Sequence, residues 1–215
     1  MNSINRNLNL NDCLIERSVG EYGESTNPFY RASYDLIKDR SIWKEFNANW
    51  TEKLSLVYSW MPRVAGKDFK LEIEKRESFE TCVHRCCQEE VIKNGLNLTC
   101  GDCLVNWDES NKKESLIRAY NFLSKVAGQI GASKLLHFSF PSLCLMWDND
   151  QIRWLYKVKG HKKVSGDHYA EYHRWAKGII NSSKDKNSLT RKYEKELPRV
   201  FDMCVWKRAK GKNSC

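Results

Sequence analysis

Apolar side chains along this chain recur at helical intervals far more often than they alternate. Residues 1–26 are polar and rich in Asn, and read as an irregular lead-in. Asn27-Pro28 then supplies a cap and a first-turn proline for a helix to about Arg40. Ser41 caps the next, in which Ile42, Trp43, Phe46, Trp50, Leu54, Val57 and Met61 share a face until Pro62 stops it. A third helical stretch over 68–94 ends at Asn94-Gly95.

Further on, Ser110 precedes a strong helix with an apolar stripe of Leu116, Ile117, Tyr120, Leu123 and Val126. A glycine-punctuated turn over Gly128–Gly131 leads into a short apolar helix, Ala132 to Phe140, which Pro141 ends. The apolar run Leu143 to Trp147 meets the polar Asp148-Asn149-Asp150, where a helix carrying Ile152, Trp154, Leu155 and Tyr156 begins. Lys159 to Gly166 reads as a basic loop, and Asp167 as the cap of a helix bearing Tyr169, Tyr172, Trp175 and Ile179. A polar loop over 181–187 leads to the last helix, from near Ser188 through Leu189, Tyr193, Leu197, Val200, Phe201 and Cys204. Pro198 is expected to kink or split it. No alternating run is long enough for a sheet and no repeat period is visible, so the fold class expected is all-α, with seven to nine helices. The organisation expected is a lead-in (1–26), one helical domain (27–210) and a basic tail (211–215).

Composition sharpens this picture. The 215 residues are 41% hydrophobic and 12% aromatic with 11 Gly and 4 Pro, which excludes collagen-like, low-complexity and wholly disordered classes. The net charge of +9 is unevenly spread. Residues 151–215 carry 17 Lys/Arg against 6 Asp/Glu (+11), while residues 1–150 carry 19 against 21 (−2). Such asymmetry points to an anionic partner, nucleic acid or a membrane surface, or else to a solvated basic surface. No stretch approaches a membrane span, and the N-terminus has no apolar signal core. Cys215 is the last residue and does not fit a prenylation pattern. The expectation is a soluble, intracellular protein.

Five of the nine cysteines fall in one window, Cys82, Cys86, Cys87, Cys100 and Cys103, with His84 inside it. Cys100-Gly-Asp-Cys103 is a CxxC knuckle, and Cys82 and Cys86 lie one helical turn apart. Cys82, Cys86, Cys100 and Cys103 are thus candidate ligands of one structural zinc, with Cys87 or His84 as substitutes. Buried apolar thiols are the other reading of the same residues.

The most informative stretch is Val126–Tyr156, VAGQIGASKLLHFSFPSLCLMWDNDQIRWLY. The part from Ser133-Lys134 through Phe138 and Pro141 to Trp147-Asp148 resembles the helix-hairpin-helix DNA glycosylase superfamily, its 8-oxoguanine-glycosylase-like branch in particular. The resemblance covers about 30 residues and extends to the rest only as helix order. It implies a base-flipping enzyme acting on duplex DNA with a damaged base. Lys134 would attack the sugar C1′ and Asp148, or Asp150, would stabilise the developing sugar cation, with no catalytic cofactor. Gly128, Gly131 and Ser133 would bind phosphate at the hairpin, and Phe138, Trp147 and Trp154 would wall the base pocket. Arg153, Lys157, Lys159, Lys162 and Lys163 would position the backbone. The spacing departs from the family hairpin, because two residues separate Gly128 from Gly131 where the family has one. The competing reading is a non-enzymatic, zinc-stabilised helical protein that binds DNA or RNA; a third is an adaptor for an acidic protein. His137, on an apolar helix, reads as a core residue, and His168 and His173 fit no metal motif.

Overall fold

The computed structural model describes residues 4, 8, 10–25, 103–159, 163–193 and 196–211. The expected helices over 27–94 lie outside them. Every regular element among the described residues is helical. In chain order these are α1 (Asp12–Ser25), a 3-10 turn (Leu104–Asn106), α2 (Glu109–Ser139), α3 (Asn149–Tyr156), α4 (Gly166–Ser182), α5 (Lys186–Tyr193) and α6 (Leu197–Ala209).

α1 replaces the irregular lead-in expected over 1–26. Asn11 caps it, its Oδ1 accepting from Leu14 N–H at 2.8 Å, and Leu14 and Ile15 are buried. The helix packs along α6. Ahead of it Leu8 and Leu10 are buried, and Ile4 N–H donates to Glu171 Oε1 on α4 at 2.7 Å.

α2 and α4 pack against each other, and α6 contacts α1, α3 and α5. The start of α4 approaches α2 so closely that a Cβ on Gly166 would lie 2.4 Å from the Ile117 carbonyl oxygen. Gly166 N–H donates to Asn121 Oδ1 there at 2.7 Å. Gly166 is therefore the first residue of the helix, capped by Ser165, rather than the end of a loop capped by Asp167.

The last expected helix is two. α5 ends at Tyr193 and α6 begins at Leu197, with Pro198 in its first turn, where a missing N–H costs nothing. The expected glycine hairpin is also smaller than the sequence suggested. Only Gly128 leaves helical geometry (φ 71°, ψ 170°), and α2 resumes at once through Gly131. That backbone region is open essentially to glycine alone. The break turns the Gln129 carbonyl to Tyr120 Oη and Trp147 Nε1, which donate to it at 3.1 and 3.4 Å.

Candidate active site

The run Leu143–Trp147 is fully buried, non-helical and unpaired with any strand among the described residues. Its backbone must therefore find side-chain partners, because a buried peptide group left unmatched is costly. Three helices supply them. From α2, His137 Nδ1–H donates to the Cys144 carbonyl at 2.7 Å, and Ser133 Oγ accepts from Trp147 N–H at 3.4 Å. From α4, His173 Nε2 accepts from Leu145 N–H at 3.0 Å and Tyr169 Oη donates to the Leu145 carbonyl at 2.5 Å. From α6, Asp202 Oδ2 accepts from Met146 N–H at 2.6 Å. Aromatic rings enclose the run: Trp147 stacks on Tyr172 at 5.5 Å and meets Tyr120 edge-on at 5.7 Å.

This clamp delivers the chain to Asp148 in a defined position. Asp148 forms a capping box at the start of α3, its Oδ1 accepting from Gln151 N–H at 2.8 Å while Gln151 Oε1 accepts from Asp148 N–H at 2.7 Å. Gln151 is itself held, because its Nε2 donates to the Asp202 carbonyl at 2.9 Å. Asp202 thus grips the run with its carboxylate and the capping box with its backbone. Burial pushes the Asp148 carboxyl above its ordinary range, against the opposing hydrogen bond from Gln151.

Lys134 sits on the resumed half of α2 with 6% of its surface exposed. Burial and the Arg199 charge bring its ammonium down from 10.5 to about 7, against the nearby Asp148 carboxylate, which favours the charged form. An amine in this setting is about half neutral at pH 7, and its neutral fraction is nucleophilic. The structure therefore brings Lys134 and Asp148 into one electrostatic neighbourhood and adds Arg199, on the first turn of α6, which the sequence reading did not include. A buried cation at that position carries no local sequence signal.

Asp150 has a different environment. It pairs with Arg153 at 3.3 Å and with Lys210 near the surface. Asp148, rather than Asp150, is the carboxylate whose charge reaches Lys134.

The other expected site residues divide by burial. Phe138 and Trp147 lie in the core, Trp147 at 1% exposure, so neither presents a wall to a ligand in this structure. Trp154 is half-buried and packs edge-on to Trp175 at 6.3 Å. Ser133 is buried and donates to the Ile130 carbonyl at 2.9 Å, and Gly131 is buried within α2, so both serve the fold rather than face a phosphate. Gly128 is half-buried. Arg153 is half-exposed; Lys157, which ends α3 in the left-handed region (φ 51°), Lys159 and Lys163 are exposed. Lys162 lies outside the described residues. So do Cys82, His84, Cys86, Cys87 and Cys100; Cys103 is a half-buried free thiol beside the 3-10 turn. No group of three or more metal-ligating side chains occurs among the described residues.

His137 and His173 are structural. Burial lowers them to about 3 and about 4, so both stay neutral while they hold the 143–147 backbone. No helix among the described residues is long and apolar enough to cross a membrane. The chain matches no protein-family model, no curated protein and no solved structure.

Proposed function

We propose that this chain is a DNA glycosylase of helix-hairpin-helix type, in which Lys134 is the nucleophile and Asp148 the stabilising carboxylate. The observation that carries the reading is a buried lysine, brought down to about 7 by burial and the Arg199 charge, that also feels the charge of a carboxylate fixed by a capping box. A charge held out of water costs stability, and a catalytic role for Lys134 would account for that cost.

In the reaction the neutral Lys134 amine attacks C1′ of the damaged nucleotide. The C1′–N bond to the base breaks and the base leaves with the bonding pair, taking a proton from solvent. The Asp148 carboxylate would stabilise the positive charge that develops on the sugar. One amine proton is lost to solvent, the nitrogen lone pair forms the C1′=N bond as C1′–O4′ breaks, O4′ takes a proton from solvent, and a protonated Schiff base joins Lys134 to the strand. The half-exposed Arg153 and the exposed Lys157, Lys159 and Lys163 belong to the +11 segment and would contact phosphates.

Duplexes carrying a panel of oxidised, deaminated and alkylated bases test this. Base release is expected from at least one lesion and is expected to be lost in Lys134→Ala and strongly reduced in Asp148→Asn. Salt-dependent binding of undamaged duplex with no release from any lesion would replace the enzyme by the non-enzymatic nucleic-acid-binding reading.

A further inference from the structure

A second polar feature lies apart from the Lys134 neighbourhood. A groove of about 460 Å³ runs between the Cys103–Asn106 segment and α5, closed at one end by Leu197 at the start of α6. Val105 and Leu197 contribute its apolar lining, and Asn106, Lys186, Asn187, Thr190 and Arg191 its polar lining. No carboxylate is among the described residues that line it. The Thr190 hydroxyl shares its one proton between the Lys186 and Asn187 carbonyls at 2.9 and 3.2 Å. α5 has no acidic residue in its first turn and ends in Arg191 and Lys192, inside the +11 segment.

The chemistry of such a lining is specific. Two cations one helical turn and a residue apart, with two amides and no carboxylate among the described lining residues, suit an anion with several acceptor oxygens. The volume exceeds that of a lone phosphate, and the apolar patch has no role in binding a small inorganic ion. A nucleotide unit satisfies both parts: phosphate on Lys186 and Arg191, sugar and base edge over Val105 and Leu197, and the two asparagines as hydrogen-bond partners.

We infer that the groove between the Cys103–Asn106 segment and α5 binds a phosphate of a nucleic-acid strand through Lys186 and Arg191. This rests on the nucleic-acid part of the proposed function and not on its chemistry. It gives the strand a second anchor beyond the basic residues that follow α3.

The test measures binding of an undamaged fluorescent duplex to the full chain across a salt series. Each phosphate neutralised contributes about 0.9 to the slope of log affinity against log salt. Lys186→Gln/Arg191→Gln is expected to lower that slope by about one to two, with the unfolding temperature unchanged. Arg191→Lys is expected to retain most of it. The control Lys113→Gln/Arg118→Gln removes two exposed cations from α2 and is expected to leave the slope nearly intact. An unchanged slope in the groove variant, or an equal fall in the control, overturns the assignment. A groove that binds a nucleoside monophosphate while the duplex slope is unaffected makes free phosphate esters its ligand and also overturns the strand assignment. Because neither lesion nor covalent capture is involved, failure here leaves the Lys134 experiments standing, and their failure leaves this one standing.

Discussion

The interior around Leu143–Trp147 and the outer face of α5 are both dense in polar side chains, and they use them in opposite ways. In the interior each group is committed: Ser133, His137, Tyr169, His173 and Asp202 each satisfy a named backbone atom, and the titratable ones are pushed toward neutrality by burial. On α5 the cations Lys186, Arg191 and Lys192 remain at or near the surface, where water supports them and salt screens them. The first arrangement fixes geometry and makes the fold sensitive to pH. The second holds little geometry and makes binding sensitive to salt. Lys134 links the two, because it is a cation held in the interior, as Lys207 also is, and there burial works against its charge.

The largest effect separating the regions should come from Asp202. Replacing it with Leu strands Met146 N–H and releases Tyr172, and is expected to destabilise the fold by about 2–5 kcal/mol in denaturant unfolding. An effect below ~1 kcal/mol would mean the clamp is dispensable. Lys134→Met is expected to move stability the other way. The folded lysine titrates near 7 and the unfolded one near 10.5, so the unfolded chain holds more protons between these values and stability rises with pH across them. Below pH 7 the variant should therefore be more stable than the parent, by ~1–4 kcal/mol, with the gap closing toward pH 10.5.

Next in size is the close approach at Gly166. Gly166→Ala forces a methyl group onto the Ile117 backbone and should cost about 1–3 kcal/mol, read as a lower unfolding temperature. The two histidines set an acid limit. Unfolded histidine takes up a proton as pH falls through about 6.5, whereas His173 and His137 resist until about 4 and about 3. Their contribution is complete above 6.5 and is lost on acidification from there toward pH 3. His173→Gln, which keeps a hydrogen-bonding side chain without the titration, should flatten part of that slope. The smallest effect belongs to the exposed Arg118–Glu114 pair, whose removal should change stability by less than about 0.5 kcal/mol.

What the sequence revealed follows the same division. Periodicity marks the apolar stripe of α2, Pro141 marks its end, and Asp148 is legible as a cap, because these are local properties. α1 was missed because its Asn-rich flank hid a short pattern, Leu10, Leu14 and Ile15 behind an Asn cap. Gly128 and Gly131 looked alike in sequence, but only Gly128 meets a backbone geometry that demands glycine. Phe138 and Trp147 resembled pocket walls because aromatic residues near a candidate nucleophile fit either a site or a core; packing against Tyr120, Tyr169 and Tyr172 places Trp147 in the core. Arg199 and Asp202 were invisible because they act across 30 to 65 residues of chain, on Met146, Tyr172 and Lys134, and no local rule pairs them.

The central claim is that Lys134 is a nucleophile held ready by its surroundings. Borohydride trapping on an oligonucleotide with an abasic site, run from pH 5.5 to 9 and mapped by peptide mass spectrometry, addresses it most directly. The account predicts one reduced adduct, on Lys134, whose rate of formation rises to a half-point near pH 7 and which is lost in Lys134→Met although that variant is folded. An adduct on another lysine, or none at any pH from the folded parent chain, would contradict it.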